Sequence, residues 1–84
     1  MMNKVLVEVV LPAAEMKFDV YIPLDIKVYD ARLMIAELLS NLSDGKFKAT
    51  NDTVLCNANT GDIFDINMFV AETEIKNGSQ LMLI

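Results

Sequence analysis

Histidine and tryptophan are missing from this 84-residue chain, and cysteine occurs once. Without an imidazole, acid–base catalysis near neutral pH would need a strongly perturbed carboxylate or lysine. The lone Cys56 has no basic residue near it in sequence, so it reads as a small buried hydrophobe on a strand and not as a nucleophile. It cannot form an internal disulfide, whereas a secreted domain of this size commonly carries several; a reducing cytoplasm is the expected compartment. Basic residues are scarce too. Seven Lys and Arg stand against twelve Asp and Glu, none of the seven lies between Lys48 and Lys76, and the net charge is −5. Nucleic acid and anionic membranes are therefore not expected partners. No apolar run is long enough to cross a bilayer. The start, Met1 to Ala14, superficially resembles a leader in having one Lys, an apolar stretch and small residues, but Glu8 interrupts that stretch, which is too short to span a membrane and reads as a strand. Without export, the Asn-x-Ser/Thr sequons at Asn41, Asn51 and Asn77 carry no meaning.

Glycine and proline are also few, at three and two, while 54% of the residues are apolar. That composition is too hydrophobic for a disordered chain. A chain this short buries only about 60% of its unfolded surface, so it can support one core and one domain, spanning residues 1–84.

Period-two alternation sets Val5, Val7, Val9 and Leu11 on one face of a first strand, and Leu6, Glu8 and Val10 on the other. A second run from Glu15 to Ile22 turns Met16, Phe18, Val20 and Ile22 inward, and a short turn at Pro12-Ala13-Ala14 makes the two a hairpin. The period then changes to 3.6. Val28, Ala31, Ile35, Leu38, Leu39 and Leu42 form one stripe of a helix of about four turns, with Asp25 as the expected N-cap and Asp44-Gly45 at its end. Val54-Leu55-Cys56 reads as a short strand, Ile63-Phe64 as another, and Gln80 to Ile84 as the last. This order predicts an α+β fold of the ubiquitin-like β-grasp type. A mixed four- to five-stranded sheet carries one helix across one face, and the first and last strands run parallel in its centre.

The hairpin, the stretch "PLDIKVYDARLMIAELLSNL" and the closing "IKNGSQLMLI" resemble the small ubiquitin-like proteins of Gram-positive type VII secretion systems, the YukD/EsaB family. In that family the chain also closes with an apolar residue, a Gly turn and alternating Leu. The resemblance implies a non-catalytic accessory protein that docks on a cytoplasmic or membrane-embedded secretion subunit, peripheral to the membrane itself. Ubiquitin and the sulfur carriers end in a flexible Gly-Gly that enters an enzyme's transfer site. Ile84 is β-branched and is expected to be paired in the sheet, so conjugation and sulfur carriage are not expected unless a longer native chain supplies that tail.

Candidate sites are few. In "NANTGD", residues 57–62, oxygen-bearing side chains alternate as in a calcium loop, but the required carboxylates and bidentate Glu are missing, so a turn is expected. Asp62 and Asp65 read as solvated charges, and neither metal nor cofactor is expected. The informative group is apolar residues placed where solvent is predicted: Leu6, Val10, Leu55, Met82 and Ile84, on neighbouring strands of the face away from the helix. They form the expected protein-interaction face, with the carboxylates of residues 52–74 available to steer a basic partner. The competing reading folds residues 65–76 over them. On the helix, Tyr29 and Leu33 project opposite the core stripe and are expected to pack on each other. Two other functions remain open: a regulatory subunit of a soluble enzyme complex, and a carrier whose tail is missing. A homodimer through the exposed face is also open.

Overall fold

In the computed structural model, which describes residues 3–48, 50 and 52–84, the two alternating runs form β1 (Lys4–Leu11) and β2 (Met16–Pro23). They pair antiparallel in unbroken register, from Lys4 opposite Pro23 to Leu11 opposite Met16. The sequon at Asn51 lies outside the described residues. Pro12 opens the 3-10 turn between the strands, and Glu15 closes it at φ 53, where the chain must reverse. The inward residues Val5, Val7, Val9, Leu11, Val20 and Ile22 are buried, while Met16 and Phe18, near the hairpin turn, are half-buried.

Helix α1 spans Val28–Leu42 and buries Val28, Ala31, Ile35, Ala36 and Leu39. Two residues expected in that stripe leave it: Leu38 is 39% and Leu42 51% exposed. The covered stripe is centred on Val28, Ile35 and Leu39; Ala36 enters on one flank and Leu38 falls out on the other, while Leu42 ends the last turn. Asp25 is not the N-cap. Lys27 holds that position in an extended conformation with no side-chain cap. The helix's first N–H groups are satisfied instead by main-chain carbonyls, Val28 N to Met68 O at 2.8 Å and Tyr29 N to Ile66 O at 3.1 Å. At the other end the expected stop holds, with Asp44 and Gly45 at φ 56 and 79. Buried Ser43 secures it by accepting the Phe47 N–H at 3.1 Å, which brings Phe47 into the core.

Strands β3 (Leu55–Asn57) and β4 (Gln80–Leu83) complete a four-stranded sheet in the order β2-β1-β4-β3. β4 runs parallel to β1 and antiparallel to β3, so the last strand is held on both sides. Ile84 extends the pairing by exchanging both main-chain bonds with Val54, at 2.7 and 3.0 Å. Asn77-Gly78 aligns β4 on β1: Gly78, at φ 87, donates to Leu6 O at 2.9 Å, and Asn77 Oδ1 accepts the Leu6 N–H at 2.8 Å. The expected strand at Ile63-Phe64 is only an isolated bridge between Ile63 and Cys56, because Phe64 turns down into the core.

The course of residues 65–76 decides what covers the sheet. Val70 N bonds Ile26 O and Ala71 N bonds Leu24 O, so this segment runs along the chain between β2 and α1. Its buried side chains, Val70 and Ile75, join the core cluster with the helix. The reading in which it covers the face opposite the helix is thereby overturned.

Candidate interaction face

The sheet registers place the outward side chains in rows. One row crosses the full width of the sheet: Lys17 lies opposite Val10, Val10 beside Met82, Met82 opposite Cys56, and Cys56 opposite Ile63. Next to it, beyond Met82, stand Ile84 and its partner Val54. On the other side lies a polar row of Asp19, Glu8 and Gln80, in which Gln80 Nε2 donates to Glu8 Oε1 at 3.2 Å. Beyond that, Leu6 faces Tyr21.

Four of the five residues read from sequence as the exposed face therefore lie on it, but in two groups. Val10, Met82 and Ile84 are together, whereas Leu6, 37% exposed, is separated from them by the Glu8 row and pairs with Tyr21. Leu55 does not belong. It lies opposite Leu83, an inward residue, and is 2% exposed in the core. A one-residue slip in reading β3 exchanged its two faces, and Cys56 and Val54 take the outer positions. Ile63, 64% exposed, extends the apolar row past Cys56, and the sequence reading missed it. Its signal was the apolar pair Ile63-Phe64 between Asp62 and Asp65, which reads as a short strand without saying which of the two faces out. It rims a depression of about 310 Å³ lined also by Asp62, Asp65, Glu72 and Glu74. A second depression, of about 590 Å³, lies among Lys4, Leu6, Glu8, Asp19, Tyr21 and Asn77.

Cys56 sits beneath this surface, with Sγ 3.5 Å from Met82 O. Burial pushes its thiol above the ordinary value. Because the folded pKa is the raised one, the folded state retains the proton longer. This contribution to stability is fully present below the unfolded thiol's pKa and is lost as pH rises through the raised folded one. Urea denaturation of the wild type and Cys56→Ala at pH 7 and pH 10 should show the wild type losing more stability between the two. An equal loss would mean that the thiol is not desolvated.

The oxygens of residues 57–62 serve the turn itself. Asn57 Oδ1 accepts the N–H of Asn59 at 2.8 Å and of Thr60 at 3.2 Å, and Thr60 Oγ1 accepts from Asp62. On the helix, Tyr29 and Leu33 are both exposed, and the Tyr29 ring is covered by the Arg32 guanidinium at 5.2 Å. Arg32 Nη1 also donates to Thr53 O at 2.9 Å, tying the helix to the strand-leading loop. Among the described residues, no helix is long and apolar enough to cross a membrane.

No family model matches the chain, and no curated protein matches it. Solved structures do. The ubiquitin-like domain of the Mycobacterium tuberculosis type VII secretion protein EccD1 superposes with a TM-score of 0.78 at 12% identity, covering 99% of each chain. The EccD5 ubiquitin-like domain from Mycobacterium xenopi gives 0.72 at 17% identity, over 98% of this chain and 93% of that one. A chain of the toluene 4-monooxygenase HD complex gives 0.71 at 12% identity, over 96% of each. At these identities the likeness defines the fold, and the protein is a ubiquitin-like β-grasp domain.

Proposed function

We propose that the protein is a noncovalent, non-catalytic protein-interaction module that serves as an accessory component of a type VII secretion system. The observation that carries this reading is the outward-facing apolar row of half-buried Val10 and Met82, buried Cys56 and exposed Ile63, with exposed Ile84 beside it, on the sheet face away from the helix. Burying such a row against a partner removes contiguous apolar surface from water at roughly 25 cal/mol per Å² before the costs of association. The carboxylates of Asp62, Asp65, Glu72 and Glu74 around Ile63 favour a partner with basic residues at the rim of its apolar patch. The likeness to ubiquitin-like domains of secretion proteins supports the choice of machine, as does the resemblance of the hairpin, helix and closing strand to the YukD/EsaB pattern. Docking is expected on a cytoplasmic or membrane-embedded subunit, with the protein itself cytoplasmic and peripheral to the membrane.

Affinity capture of the tagged chain from its native cells in mild detergent tests this, with Met82→Lys alongside and circular dichroism as the check on folding. Wild type is expected to recover secretion subunits, and Met82→Lys to lose them by tenfold or more, about 1.4 kcal/mol. Recovery of a soluble enzyme in their place would favour the regulatory-subunit reading, to which the monooxygenase likeness lends support. An intact mass shifted by a covalent adduct would sink the noncovalent reading.

A further inference from the structure

β2 forms one edge of the sheet over eight residues, while the opposite edge is the three-residue β3. Natural edges are commonly blunted by bulges, internal prolines or brevity. β2 has none of these: its register against β1 is unbroken, and its one proline, Pro23, is its last residue. Its protection is charge alone, Lys17 and Asp19, which disfavours any added strand except one presenting the opposite charges in register. Leu6 and Glu8 turn their main-chain groups toward the β4 side, accepting from Gly78 N and donating to Ser79 O. The alternate residues of β1 therefore bond β2, which leaves the N–H and C=O of Lys17, Asp19 and Tyr21 directed outward.

The same edge carries an electrostatic conflict. Glu8 and Asp19 lie directly opposite each other, an arrangement that destabilises an antiparallel pair, and the group bonded to Glu8 is the neutral amide of Gln80. A cation in line with that row, beyond Asp19, would relieve it.

We propose that the protein forms a twofold dimer by antiparallel pairing of β2 with β2 of a second copy, with Lys17 opposite Asp19 of the second copy and Phe18 on the axis. Only residues with outward main-chain groups can exchange bonds, which restricts the register. Centring the pair on Asp19 or on Lys17 stacks like charges. Setting Asp19 against Tyr21 places Lys17 against Pro23, which has no N–H to give. The proposed register makes two identical opposite-charge pairs. It also extends each polar row to Gln80, Glu8, Asp19 and then Lys17 of the second copy, supplying the missing cation. On the helix side, the half-buried Phe18 meets its own symmetry mate, a favourable aromatic cross-strand pair. The contact is isologous and closed, so it ends at two copies.

Sedimentation equilibrium of the full chain, from micromolar to millimolar concentration at low salt, tests the proposal. Wild type is expected to dimerise reversibly. Lys17→Glu and Asp19→Lys should each weaken the dimer about tenfold or more, since both symmetric pairs turn from attraction to repulsion. An equimolar mixture of the two variants, and the double variant K17E/D19K, should each regain it. A wild type that stays monomeric throughout overturns the proposal. So does a dimer indifferent to the single reversals, or one that neither the mixture nor the double variant restores.

Discussion

Leu55→Asp is expected to leave the chain unfolded, whereas Met82→Lys on the neighbouring strand leaves it folded. Leu55 is enclosed between the sheet and the helix layer, in register with Leu83, and an ionised carboxylate there has no water and no cationic partner. The penalty for such a group is several kcal/mol. Stability of about 0.05–0.15 kcal/mol per residue gives a domain of this length roughly 4–13 kcal/mol in all, so one unpaired buried charge consumes most of it. Met82 is half-buried on the outer face, where a lysine stem can lie along the apolar row and keep its ammonium in water. Circular dichroism and urea denaturation of the two variants distinguish these environments. A Leu55→Asp protein with a wild-type midpoint would show that β3 pairs one residue out of the register described.

Ile35→Ala is expected to lower stability by about 2–5 kcal/mol, and Ile35→Val by about 0.5–1.5. Ile35 is fully buried at the centre of the covered stripe of α1. A lone 15-residue helix is marginal in water, so its stability here comes from docking on the sheet, and Ile35 is the middle of that contact. Among the described residues there is no second α-helix to move into the space left behind. Leu33→Ala, two residues away on the exposed side, is expected to change stability by about 0.5 kcal/mol or less. Urea midpoints measured at constant m-value make the comparison; similar losses at both positions would mean that the helix does not present Ile35 to the sheet.

The elements legible in the sequence are those whose period extends over several repeats. Eight residues of alternation in β1 and in β2 leave one choice of inward face, and the stripe from Val28 to Leu39 does the same for the helix. β3 offers three residues, too few for alternation to choose a face, and Leu55 was misassigned for that reason. The N-terminal limit of α1 was illegible on other grounds. A side-chain cap leaves a signature such as Asp or Ser, but the carbonyls of Met68 and Ile66 belong to every residue type and leave none. Of the candidate face, Val10 could be read because it lies on the eight-residue β1, and Met82 and Ile84 because they alternate with Leu81 and Leu83, whose inward side matches that of β1. Ile63 could not, since its place depends on one bridge to Cys56. The Glu8 row that separates Leu6 from the rest needed the register of three strands at once.

The central position of β4 bears on when this protein can fold. Leu6 and Asn77, joined by a hydrogen bond, are 71 positions apart, and the parallel pairing of β1 with β4 encloses nearly the whole chain. Closing so long a loop before any reward from the contact makes folding slow relative to a helical bundle of equal length. On the ribosome, the hairpin and the helix emerge with their apolar faces ready but without the strand that completes the sheet between β1 and β3. The sheet therefore stays half-built, with apolar faces exposed, until residues 80–83 are clear of the exit tunnel.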